Sequence, residues 1–201
     1  MKFSTLLLLL STLLPLSVQD EPREIEVRTL AFNYSAKMKN LSLAGDPRGD
    51  SQIEVELLKY TNSTQQPLTL VGDELLVGEP SAEGFASWES VSIDKALQEV
   101  LLVFFPVEDP KKPYHIVAVD DSEKSFPLGS FLLANMSPHA LRFVIGDSRY
   151  EVKKGEFQLI SELKNVKSNE QVPYYAYVQK DNDWKRLSTG GPYCLESAIF
   201  R

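Results

Sequence analysis

The sequence predicts an all-β protein of antiparallel sandwiches, arranged as two related units. Three observations carry this expectation. Short runs of β-branched, aromatic and aliphatic residues recur along the chain, separated by turn residues roughly every 8 to 12 positions, the spacing of sandwiches and barrels. Several of these runs alternate apolar and polar residues with a period of two, as a half-buried strand does. Long amphipathic patterns of helical period are absent, which argues against a parallel α/β sheet.

Taken in order, Ile25, Val27 and Thr29 alternate with Glu24, Glu26 and Arg28, and Ile53, Val55 and Leu57 alternate with Glu54 and Glu56. Leu68–Val71 and Leu75–Val77 flank Gly72-Asp73-Glu74, which reads as a tight hairpin. Phe85–Val91 reads as a strand containing Trp88, and Ile93–Glu99 as a short helix. Leu101-Leu102-Val103-Phe104-Phe105 is continuously apolar up to Pro106, which suits a strand covered on both faces. Tyr114–Val119 follows the Glu108–Pro113 loop, over which it could pair with the preceding strand.

In the second half, Phe131–Ala134 reads as a strand, Ser137-Pro138-His139 as a turn, and Leu141–Ile145 as a return strand. Gly146-Asp147-Ser148 and Lys153–Glu156 read as further turns. Val172–Gln179 and Trp184–Leu187 flank Lys180–Asp183 as a hairpin, and Tyr193–Phe200 closes the series. The turn cluster at Asp120–Ser125 places the division between units 20–122 and 123–201. Leu30–Asp46 and Phe131–Asp147 echo one another, each running apolar strand, polar turn, apolar strand, Gly-Asp.

The first 19 residues have the order of a cleaved secretory signal. Lys2 supplies a positive start, Leu6–Leu14 an apolar stretch, Pro15 a break, and Asp20-Glu21-Pro22 a polar mature end. The apolar stretch falls short of the roughly 20 residues of a spanning helix. Cleavage after Ser17 or after Gln19 fits equally, and no cysteine near the cut offers a lipid attachment point. The expected location is periplasmic or extracellular, with no transmembrane segment after cleavage.

Of the 201 residues, 43% are apolar and 24% charged, which is ordinary for a globular chain and argues against disorder. The net charge of −7, with no basic run, offers no footprint for nucleic acid. The single cysteine, Cys194, excludes an internal disulfide framework and reads as a buried small hydrophobe, or else as a free thiol.

Candidate chemistry is sparse. His115, His139 and one cysteine cannot make a zinc site of usual spacing. A triad of Ser137, His139 and Asp147 lacks the Gly-x-Ser-x-Gly turn that would present its nucleophile. Gly146-Asp147-Ser148 matches an esterase tripeptide but sits between two expected antiparallel strands, where it is turn chemistry. Asp120, Asp121 and Glu123 are three oxygen-bearing side chains where calcium takes six to eight ligands. Arg48-Gly49-Asp50 matches an integrin-type tripeptide within a turn. Asn33, Asn40, Asn62 and Asn135 head N-x-Ser/Thr sequons, with Pro138 disfavouring the last. No metal, cofactor or catalytic residue is therefore assigned.

The aromatic residues are the binding candidates. Tyr175 and Tyr177 share one strand face and Tyr174, Ala176 and Val178 the other. With Trp184 across the hairpin, the first set could form a platform for a sugar ring or an envelope protein.

The stretch Gly129–Pro138 followed by a Gly-Asp turn, with Val117–Ser122 before it, resembles uncharacterised exported bacterial β-sandwich proteins. The resemblance implies an envelope location and an immunoglobulin-like sandwich, and carries no activity. The expected function is a non-catalytic exported binding or structural module of the cell envelope. The alternative is a small secreted hydrolase whose glycosidase-like carboxylate pair forms only in the fold.

Overall fold

The computed structural model describes residues 21–33, 39–59, 63–161, 174–187 and 198–200. Signal residues 1–19, Cys194 and Asn62 lie outside them.

Among the described residues the chain is all-β, with no helix. The first eight strands are β1 (Arg23–Ala31), β2 (Asn40–Ala44), β3 (Gln52–Glu56), β4 (Gln66–Leu70), β5 (Glu74–Ser81), β6 (Gly84–Ser92), β7 (Glu99–Pro106) and β8 (Tyr114–Asp120). They form sheet A, ordered β4-β1-β7-β8, and sheet B, ordered β3-β2-β5-β6. The remaining strands are β9 (Phe131–Ala134), β10 (Leu141–Ile145), β11 (Ser148–Val152), β12 (Phe157–Ile160), β13 (Tyr174–Lys180), β14 (Asp183–Arg186) and β15 (Ala198–Phe200). They form sheet C, ordered β12-β9-β15, and sheet D, ordered β11-β10-β13-β14.

Side-chain alternation arranges the sheets as layers. Ile25, Val27, Val100, Leu102 and Phe104 of sheet A pack on Leu41, Leu43, Leu75 and Val77 of sheet B. The opposite face of sheet A, with Leu30, Leu101, Val103 and Phe105, packs on Phe126 and on Leu132 and Ala134 of β9. Leu133 of β9 points the other way, into a third core with Leu141, Phe143, Val152, Ala176 and Val178. The order of layers is B, A, C, D. Hydrophobic burial on both faces explains the continuous apolar runs of β7 and β9, since neither strand has a solvent side. Residues 100–104 of β7 are 0% exposed.

Three expectations are corrected. The ladders are antiparallel with one exception: β1 and β7 run parallel, with Val27 opposite Val100. Within the sheets, β3 pairs with β2, while β6 and β7 lie in different sheets.

No helix forms over Ile93–Glu99: a turn at Lys95-Ala96 leads into β7, which begins at Glu99. Asp94 Oδ1 accepts from the Ala96 amide, the Leu97 amide bonds the Asp94 carbonyl, and the Arg23 guanidinium takes the carbonyls of Ile93, Asp94 and Leu97. Aspartate's competition for nearby amides is a known brake on helix formation.

Two expected hairpins are crossings between layers. Gly72-Asp73 connects β4 in sheet A to β5 in sheet B, and Ser137-Pro138-His139 connects β9 in sheet C to β10 in sheet D. At Gly45 the two sheets of the first sandwich meet. Its amide bonds Ser51, its carbonyl receives the Val71 amide, and a Cβ there would overlap the Thr69 carbonyl oxygen.

The turns between β10 and β11, at Gly146-Asp147, and between β13 and β14, at Asp181-Asn182, do close hairpins. Asp181 and Asn182 have φ of 52° and 67°, the paired left-handed geometry of a type I′ turn. The β7–β8 hairpin spans the Glu108–Pro113 loop, with Pro106 opposite Tyr114.

Candidate functional site

The register of sheet D decides which side chains share a face. Val144 stands opposite Tyr175 and Arg142 opposite Tyr177. Across the other edge of β13, Tyr177 stands opposite Arg186 and Gln179 opposite Trp184. On β11, Glu151 stands opposite Arg142 and Arg149 opposite Val144. Directly opposed residues project to the same side. Tyr175, Tyr177 and Trp184 therefore share one face of sheet D with Arg142, Arg149, Arg186, Glu151, Val144 and Gln179. Ala176, Val178, Leu141 and Phe143 occupy the other face, in the core. The fourth aromatic, Tyr174, stands at the strand start and is exposed.

Arginine side chains interleave with the rings. The Arg142 guanidinium carbon lies 3.9 Å from the Trp184 ring centroid, and that of Arg186 lies 4.2 Å from the Tyr175 centroid. Both are within the roughly 6 Å reach of cation–π attraction. Each arginine reaches diagonally past Tyr177, which lies between them in the ladder. Arg142 is held from its far side too: Nε and Nη2 donate to Glu151 Oε1 at 2.9 and 2.6 Å. The three rings are half-buried as a result. Sequence reading named the aromatics and missed the arginines. The alternation of Arg142 with Phe143 places it on an outer face, but only the pairing of β10 with β13 and β14 brings it to the rings.

The other candidate residues are accounted for by turn and core chemistry. Asp120 Oδ1 accepts the Ser122 amide at 3.0 Å. Burial alone would raise the Asp120 pKa; hydrogen bonds from Ser125 and Ser122 and the nearby Lys124 charge outweigh it and hold the carboxyl below its ordinary value. Asp121 turns away, to Arg28 at 2.6 Å. Neighbouring acids thus serve different partners, and no group of three metal-binding side chains occurs among the described residues.

Ser137 Oγ bonds Asn135 Oδ1 and the backbone carbonyl of His139, so its contact with His139 is to the main chain. His115 and His139 are exposed. Gly146-Asp147-Ser148 is the β10–β11 turn.

Arg48-Gly49-Asp50 lies in the β2–β3 turn, where Gly49 has a φ of 74° and Arg48 Nε stands 3.3 Å from Asp50 Oδ2. Asp46 organises that turn, accepting the amides of Arg48 at 2.8 Å and Ser51 at 2.9 Å. Burial would raise its pKa, yet the amide bonds and the Arg48 charge together lower it.

Among the sequons, Asn33 and Asn40 are exposed. Asn135 is fully buried, its amide nitrogen donating to the carbonyls of His139 and Val152 at 2.8 Å each. A glycan on that nitrogen would replace one of the two donated hydrogens, on a side chain with no access to solvent.

A pocket lined by Val27, Thr29, Val55, Glu56, Ser63 and Gln66 opens between the β3 and β4 edges. It brings one carboxylate, Glu56, where a glycosidase mechanism needs two. Comparison of the chain with protein-family models, curated proteins and solved structures finds no match.

Proposed function

We propose that this chain is an exported, non-catalytic binding module of the cell envelope, with Tyr175, Tyr177 and Trp184 as its glycan-contacting residues. One observation carries the reading: three aromatic side chains share the core-opposed face of sheet D. Tyr177 offers a flat apolar ring next to polar donors, which suits a sugar ring, with Trp184 and Tyr175 beside it under Arg142 and Arg186.

Two related units, 20–122 and 123–201, complete the proposal. Its support is the strand order: β3-β2-β5-β6 beside β4-β1-β7 in the first half, and β11-β10-β13-β14 beside β12-β9-β15 in the second. Each second-half number is its counterpart plus eight. The seventh strands differ in direction, since β15 runs antiparallel to β9 whereas β7 runs parallel to β1. The echo between Leu30–Asp46 and Phe131–Asp147 falls on equivalent crossings in the two halves.

The test is affinity electrophoresis of the mature chain against a panel of neutral and charged polysaccharides, comparing wild type with Tyr177→Ala. Retardation that Tyr177→Ala abolishes supports the reading, and a panel in which nothing retards the wild type refutes it. Sequencing the N-terminus of the product exported by the native host tests the signal, with a start at residue 18 or 20 expected.

A further inference from the structure

We propose that the sheet D face selects a polysaccharide carrying carboxylate groups, with Tyr177 as the stacking ring and Arg149 and Arg186 as the carboxylate donors. This rests on the glycan-binding reading above and names its ligand class. The argument begins with charge. The face carries three arginines against one glutamate, on a chain whose net charge is −7. At physiological ionic strength, charges more than about 8 Å away are largely screened. The local excess of arginine therefore governs what approaches, not the acidic total.

Geometry then narrows the ligand. Arg142 on β10 and Arg186 on β14 stand two ladder steps apart, one on each side of Tyr177. Neighbouring strands are about 4.8 Å apart, so the two backbones are roughly 10 Å apart. The two backbone positions thus flank Tyr177, while the guanidinium groups themselves lie over Trp184 and Tyr175 and, among the described residues, leave the Tyr177 ring as the one without an arginine across it. Cation–π stacking holds Arg142 on Trp184 and Arg186 on Tyr175, which limits their rotamer freedom before a ligand arrives.

The same stacking leaves the edge of the Arg186 guanidinium, where its N–H donors lie, for a ligand, whereas Nε and Nη2 of Arg142 already donate to Glu151. Among the described residues, Arg149 and Arg186 have no carboxylate partner, whereas Arg142 has Glu151. Guanidinium forks match carboxylates in shape as well as charge. A neutral glycan would use the rings and leave these donors with water. A nucleic acid would call for a longer basic track than three arginines.

Isothermal titration of the mature chain would use polygalacturonate and the same polymer after chemical reduction of its carboxyl groups. The expected result is binding of polygalacturonate, weakened by added salt, and little or none of the reduced polymer. Arg186→Gln and Arg149→Gln should each weaken binding roughly tenfold or more, the scale of a lost charged hydrogen bond. Both are exposed, so their circular dichroism should match wild type. Equal binding of the reduced polymer, abolished by Tyr177→Ala but unaffected by Arg186→Gln, overturns carboxylate selection and leaves the glycan reading standing. Binding of neither polymer, nor of any in the wider panel, overturns both.

Discussion

Arg28 on β1 and Asp121, just past the end of β8, form an ion pair with 2.6 Å between Nη2 and Oδ1, and the Asp121 side chain is wholly buried. Arg28 lies on the same face of sheet A as Leu30, the face that packs on β9. The pair thus sits beside the core shared by the two halves of the chain. Removing one member of a buried pair strands the other's charge, at a cost of about 3–5 kcal/mol. Asp121→Ala should therefore lower stability by that amount in urea denaturation. Joint replacement, Arg28→Met with Asp121→Leu, should recover most of the loss, because no buried charge is then stranded. A double variant as unstable as the single one would show that the pair is not the cause.

Asn135 ties three segments together. Its amide bonds the His139 and Val152 carbonyls, and its Oδ1 accepts from the Ser137 amide and hydroxyl. Asn135→Ala takes this donor from the buried Val152 carbonyl, at a cost of about 1–3 kcal/mol, while the His139 carbonyl keeps the Ser137 hydroxyl. The midpoint of chemical denaturation should fall clearly. Asn135→Asp should fare little better, because a carboxylate cannot donate to either carbonyl. Wild-type stability in either variant would remove this role.

Gly45→Ala should destabilise by more than an ordinary surface substitution. The added methyl meets the Thr69 carbonyl oxygen, backbone that cannot step aside without parting sheets A and B. Thermal unfolding of the variant measures this, with a lowered Tm expected.

Asp46 and Asp120 both have pKa values lowered in the folded chain from an ordinary 3.8. A depressed carboxylate stabilises the fold above its unfolded pKa and loses that contribution as pH falls through the folded value. Their share of stability is thus present at neutral pH and disappears in acid, starting near 3.8 and ending below the lowered values. Asp46→Asn and Asp120→Asn should each be less stable than wild type at neutral pH, with the gap closing in acid. A gap independent of pH would mean that the charge is not responsible.

Much of the local structure was legible in the residues. The apolar run Leu101–Phe105 implied cover on both faces because a strand with no polar alternation has no side to show to water. The Asp181-Asn182 hairpin was legible because left-handed backbone is a local property of those residue types. The same logic misled at Gly72-Asp73 and at Ser137–His139. A turn reverses the chain, but whether its flanking strands then bond to each other or enter opposite layers depends on partners far along the sequence. The parallel pairing of β1 with β7 is of this kind as well.

The aromatic face divides along the same line. By itself the sequence determined that Tyr175 and Tyr177 share a side of their strand, because side chains alternate with a period of two. Only the tertiary structure decided that this side faces away from the core, and that Arg142 and Arg186 lie over Trp184 and Tyr175. Those contacts join residues on three strands, and register between strands is set by the burial of their opposite faces, not by any short segment.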